Sequence, residues 1–204
     1  PAAVSAAHTT LAELGALTPD GTVTGRGRDI AALGTDPRLA RALLDGAALV
    51  GRRTAAEVVA LLADDGGPGD VDLTAVLRRR RAQAGRGDTW RREADRWERL
   101  LRTTRPAPPH EPVADLDLAV GLVTALAHPD RIARRRTGSE HYLLASGAGA
   151  RFAGGALAGS EWLAVAEATR APGQADAVIR AAAPIDEATA REAGANLLAT
   201  VEDV

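Results

Sequence analysis

The feature that most limits what this chain can fold into is a change of hydrophobic period at Gly138. Upstream, apolar residues recur every three to four positions, the spacing of amphipathic helices; downstream they come in short extended runs separated by Gly and Pro. An α+β chain is expected, mainly helical first and closing on a small sheet. Leu11, Leu14 and Leu17 lay one stripe along a helix over 5–17, and Thr18-Pro19-Asp20-Gly21 is turn chemistry leading into a short extended Thr22-Val23-Thr24. A second helix runs from Arg26 to Leu33. Asp36-Pro37 caps and starts a third, with Leu39, Leu43 and Leu44 on its apolar face.

Thr54-Ala55-Ala56-Glu57 has the form of a capping box ahead of Val58, Val59, Leu61 and Leu62. After a loop at Asp65–Gly69, Asp70 or Asp72 opens a helix that carries Leu73, Val76 and Leu77 into Arg78–Arg81. Gly85-Arg86-Gly87 breaks it, and Asp88 caps a helix lasting to about Thr103. On that helix Trp90, Ala94, Trp97 and Leu101 fall at spacings of four, three and four, a narrow buried seam. Pro106–Pro112 is a stiff connector, and Asp115 opens an apolar helix that stops before Pro129. Runs at 142–145, 150–153, 162–169 and 177–183 are the expected strands, and Asp186 caps a closing helix.

With five aromatic residues in 204, the cores must be built from Ala, Leu and Val. Zero Cys excludes disulfides and thiolate metal sites, as in a cytoplasmic protein. No apolar run approaches the ~20 residues of a membrane span, so no membrane partner is expected. The chain opens on Pro1 and contains no Met, which suits an internal fragment.

The formal net charge of -2 hides a segregation. Residues 78–105 hold eleven arginines against four acids, whereas 171–204 hold six acids against two arginines. Such asymmetry suits a chain that meets a polyanion on one side. All 25 bases are Arg, which a high-GC genome also explains; the clustering it does not explain.

Several stretches carry a resemblance. Leu14 to Leu44, with its Thr18-Pro19-Asp20-Gly21 turn and Asp36-Pro37-Arg38-Leu39, resembles the accessory region that follows the motor in DEAH-box helicases. Ala127 to Arg136, Tyr142 to Gly147 and Leu157 to Glu167 are similar, in the same order, to the bacterial HrpB branch. Leu33-Gly34-Thr35 departs from the apolar Leu-Pro usual there. The resemblance implies a degenerate winged helix over 1–50, a ratchet-like helical bundle over 51–137 and an OB-like barrel over 138–204. It implies a parent that is an ATP-dependent helicase, whose ATP and Mg would be bound by motor domains outside this chain. With no lysine, the chain lacks the Gly-x-x-x-x-Gly-Lys-Ser/Thr loop, so no ATPase activity and no cofactor of its own are expected.

Candidate nucleic-acid contacts are Arg78, Arg79, Arg80, Arg81, Arg91 and Arg92, together with Arg131, Arg134, Arg135 and Arg136 where the bundle leads into the barrel. The first group could equally be a solvated face laced with pairs such as Arg92 to Asp95 or Glu93 to Arg96. The second could instead cap a helix end and pair with acids. Tyr142, Phe152 and Trp162 could stack on bases, but a chain so poor in aromatics needs at least two of them inside the barrel, and Trp162, alternating with apolar neighbours, is assigned to the core. The four histidines show no ligand spacing, and Ser139-Glu140-His141 is no triad, because neighbours on an extended chain face opposite ways. The expected partners are single-stranded nucleic acid, RNA foremost, and the upstream motor. Two rival readings remain: a stand-alone winged-helix regulator on duplex DNA, and a scaffold whose Arg face meets an acidic protein.

Overall fold

The computed structural model describes residues 2–64, 70–83, 88–103, 115–152, 155, 157 and 159–197. The expected loop at 65–69, the break at 85–87 and the connector at 106–112 lie outside the described residues, as do Arg86 and Arg105. In order come α1 (Ala2–Glu13), α2 (Gly25–Ala32), α3 (Pro37–Val50), α4 (Arg52–Leu62), α5 (Leu73–Gln83), α6 (Thr89–Thr103) and α7 (Leu116–Ala127). The strands β1 (Ile132–Arg135), β2 (His141–Leu144), β3 (Gly149–Arg151), β4 (Trp162–Thr169) and β5 (Ala177–Ile185) follow, then α8 (Glu187–Ala193).

The fold is organised around α7. Every residue from Ala119 to Ala127 is buried, because this helix is apolar on all sides and can be stable only when surrounded. α3 and α4 pack on it from one direction, β4, β5 and α8 from another. Gly121 makes the second contact possible: a Cβ there would lie 2.4 Å from the carbonyl oxygen of Pro184 and 2.4 Å from Ile185 Cγ2. The α7 backbone therefore rests directly on β5. α6 lies against α4 through the buried seam of Trp90, Ala94, Trp97 and Leu101, as the spacing predicts, and the Trp90 indole N–H donates to the Glu57 carbonyl at 3.1 Å.

The helix expected over 5–17 runs over 2–13 instead, so Leu14 and Leu17 lie past its end, while α2 falls within one residue of the expected bounds. α1 stops at Glu13 because Gly15 turns the chain at φ 70, and Leu17 then pairs with Val23 in a minimal ribbon ahead of α2. Asp36 accepts from the backbone N–H of Arg38 at 2.8 Å and so caps α3. The capping box at Thr54 does not form. Gly51, at φ 84, already turns the chain into α4 two residues before it, and Glu57 is drawn sideways by two arginines.

The sheet closes into a barrel in the order β1-β2-β3-β5-β4, with β1 paired to both β2 and β4 and with β3 parallel to β5. It is a small five-stranded barrel of the OB kind. The ring has five strands where four were expected, since Ile132-Ala133-Arg134-Arg135 is a strand and not the tail of a helix. Ala133, Tyr142, Leu144, Ala150, Leu163, Val165 and Ile179 fill the interior. Tyr142 is fully buried; its hydroxyl donates to Ser160 O at 2.9 Å, and Phe152 meets its ring edge-on with centroids 5.6 Å apart. Ile132, Ala164, Ala181 and Ala183 belong instead to the helical core, so the barrel's back is part of the bundle.

Candidate nucleic-acid interface

Four consecutive arginines on a helix point four ways, at about 100° intervals, and therefore reach four different neighbours. Arg78 pairs with Asp117 of α7 at 2.5 Å, Arg79 with Asp70 at 3.0 Å, Arg80 with Asp64 at 3.0 Å and Arg81 with Glu57 of α4 at 2.6 Å. Glu57 is the hub. Only 5% exposed, it also accepts from Arg53 Nε at 2.7 Å, and Arg53 continues to Asp95 at 2.5 Å and Glu98 at 3.2 Å on α6. The Arg53 hydrogen bond holds Asp95 below the usual carboxylate range, and the Arg102 hydrogen bond does the same for Glu98. Burial pulls on the Arg53 guanidinium in the opposite sense, but its bonds to Asp95 and Glu57 outweigh it and raise its pKa. On α6 the Glu93 to Arg96 pair forms at 2.7 Å; the Arg92 to Asp95 pair does not, because Asp95 is taken by Arg53, and Arg92 donates to Thr89 at 3.2 Å. Arg91 lies exposed on the same helix. The α5 arginines thus tie α4, α5 and α7 together.

The second group differs. Arg131 Nη1 donates to the Ala166 carbonyl at 2.6 Å, binding the turn before β1 to β4 rather than capping a helix. Arg134 and Arg135 lie on β1 with exposed side chains, and Arg136 follows them. Arg134 sits opposite both Leu143 and Trp162, its guanidinium 5.1 Å from the Trp162 ring centroid. Its ion pair to Glu161, at 3.5 Å between two exposed groups, contributes little. Among the described residues, the side chains of Arg135, Arg136 and Arg151 have no hydrogen bond or ion pair. Trp162, expected in the barrel core, instead packs half-buried on the helical core from outside the barrel, so Tyr142 and Phe152 are the two aromatics that serve the interior.

One pair escaped the sequence reading. His141, exposed on β2, sets its Nδ1 2.7 Å from Asp176 Oδ2, 35 residues away. At the other end of β1, His128 terminates α7 beside Arg38, which reaches Asp130 at 2.6 Å. Burial, reinforced by Arg131 and Arg38, pushes the His128 imidazole down to about 4, and its Nδ1 has no partner among the described residues.

The chain offers no lysine for a phosphate, and Gly147 and Gly149 belong to a strand-to-strand hairpin with no following helix. Among the described residues no group of three His, Asp or Glu could hold a metal, and no helix is long and apolar enough to cross a membrane.

No family model matches the chain. The ATP-dependent RNA helicase HrpB of Escherichia coli (strain K12) is 33% identical over 159 residues, 78% of this chain and 18% of that protein. A crystal structure of the E. coli DExH-box NTPase HrpB superposes with a TM-score of 0.71 at 29% identity, covering 93% of this chain and 22% of that one. A second, of the Escherichia coli DEAH/RHA helicase HrpB, gives 0.65 at 30% identity over 90% of this chain and 22% of its own. The chain therefore spans about a fifth of the relatives it matches. Agreement of sequence and of the helix-then-barrel fold leads to one conclusion: the chain belongs to the HrpB family of DEAH-box helicases and matches a helicase-associated portion of such a protein.

Proposed function

We propose that this chain guides single-stranded nucleic acid, RNA foremost, along the motor of an HrpB-type helicase, and that the barrel is where it grips. The parent would hydrolyse ATP in motor domains outside this chain, and the winged-helix-like start, the bundle and the barrel would form a rigid collar beside them. One observation carries the choice of surface: Arg135 at the end of β1, Arg136 just after it and Arg151 on β3 keep their charge uncommitted, whereas each of Arg78 to Arg81 is already paired with an acid. Arg134, over the Trp162 ring on the outer face of β1, adds a further guanidinium. Guanidinium groups without acid partners are the ones able to replace the counterions of a phosphate backbone.

Fluorescence anisotropy of a labelled single-stranded RNA across a salt series tests this. Affinity is expected to fall with salt at a log-log slope of about -0.7 per neutralised phosphate, and exchanging Arg134, Arg135 and Arg136 for Gln should flatten the slope by about 2. Exchanging Arg78 to Arg81 should cut stability more than affinity. No binding at low salt would favour a scaffold for an acidic protein, and a preference for duplex DNA would favour the winged-helix regulator.

A further inference from the structure

The outer face of β2 holds a histidine whose ring is oriented by the sheet itself. His141 lies directly opposite Arg151 of β3, and its carbonyl accepts from the backbone N–H of Arg136 at 2.8 Å on the other side. With strands about 4.8 Å apart, two guanidinium bearers flank it across roughly 10 Å. Its Nδ1 is held by Asp176 at 2.7 Å, and the carboxylate lies where a side chain of β3 would otherwise be: a Cβ on Gly149 would fall 2.0 Å from Asp176 Oδ1. Gly149 has no left-handed φ that would call for glycine, so the room it leaves for Asp176 is what its missing side chain supplies.

A carboxylate only accepts hydrogen bonds. Asp176 therefore fixes the proton of neutral His141 on Nδ1 and leaves Nε2 with a lone pair, an acceptor standing between two arginines. Phosphates are acceptors too and gain nothing from it. A ribose 2′-hydroxyl can donate to it; a deoxyribose has no such group. We propose that His141, set by Asp176 in the slot that Gly149 opens, is the residue by which this face distinguishes RNA from DNA. The inference rests on the strand-guiding reading above and adds the sugar to it.

The test is direct titration of this chain with a single-stranded RNA and the single-stranded DNA of the same sequence, at low salt and pH 8. RNA should bind about five-fold more tightly, the effect of one hydrogen bond. His141→Phe should bring RNA down to the DNA value and leave DNA binding in place. Gly149→Ala, which displaces the Asp176 carboxylate, should narrow the preference with the thermal unfolding curve unchanged. Equal wild-type affinities, or a preference that survives in His141→Phe, would overturn the assignment and leave the strand-guiding reading standing. Failure to bind either polymer would remove both.

Discussion

Arg41 Nη2 donates to the carbonyl oxygen of Ala193 at 2.9 Å, tying α3 to the last residue of α8 across 152 positions of sequence. The guanidinium is 4% exposed, Asp45 lies 3.4 Å from its Nε, and Arg26 shares Asp45 with it. Burial, with the nearby Arg26 charge, lowers its pKa to about 10, so it stays charged at neutral pH. A cation at a helix C-terminus answers the unpaired carbonyls there. Arg41→Leu should cost about 2 kcal/mol in urea unfolding and expose α8 to limited proteolysis before the helical bundle opens.

Glu57 should be the most sensitive acid in the bundle. Glu57→Gln leaves Arg53 and Arg81 facing a neutral amide in a mostly buried place and is expected to cost about 3 kcal/mol, read as a shift in the denaturant midpoint. Arg79→Gln, which breaks a pair between exposed groups, should stay within about 0.5 kcal/mol.

Gly121→Val drives a branched side chain into the Pro184 carbonyl and the Ile185 methyl. Overpacking of this kind costs about 1–3 kcal/mol. Because the clash separates α7 from β5, near-ultraviolet circular dichroism of the barrel's Tyr142 should change while far-ultraviolet helicity persists.

His128 predicts a pH dependence with a definite sign. Its folded pKa, about 4, lies below the unfolded value near 6.5, so the unfolded chain binds the proton more readily. Stability is complete above pH 6.5 and is lost as pH falls through the window from 6.5 to about 4, by about 3 kcal/mol in all. His128→Gln should flatten the unfolding free energy across that window. The lowered carboxylates of Asp95 and Asp186 lose their contribution only at more acid pH.

Legibility in the sequence followed the range of the forces involved. The Trp90 to Leu101 seam, the Asp36 and Asp186 caps and the all-apolar α7 are set by neighbours within a turn or two, and each forms as its spacing requires. β1 was hidden because only two of its residues are buried, Ile132 against the helical core and Ala133 in the barrel, while the two arginines after them read like a helix end. Thr54 misled because a capping box says nothing about a turn already made at Gly51. The sorting of the arginines was beyond local reading altogether. Arg78 and Asp117 stand 39 residues apart, and His141 and Asp176 stand 35 apart, so only the fold reveals which charges are spent and which are spare. Gly149, a strand glycine, was the one available hint of the second pair, as a place where something approaches the backbone closely.

β1 hydrogen-bonds β4 as well as β2, which leaves the sheet without a terminal strand. Among the described residues no strand stands at a free end of the ring, although β4 runs on to Thr169 beyond its pairing with β1 at Trp162–Ala164. Where the ring is closed, docking on this barrel falls to side chains. Its preferences can consequently be rewritten one codon at a time while the ladder beneath stays intact.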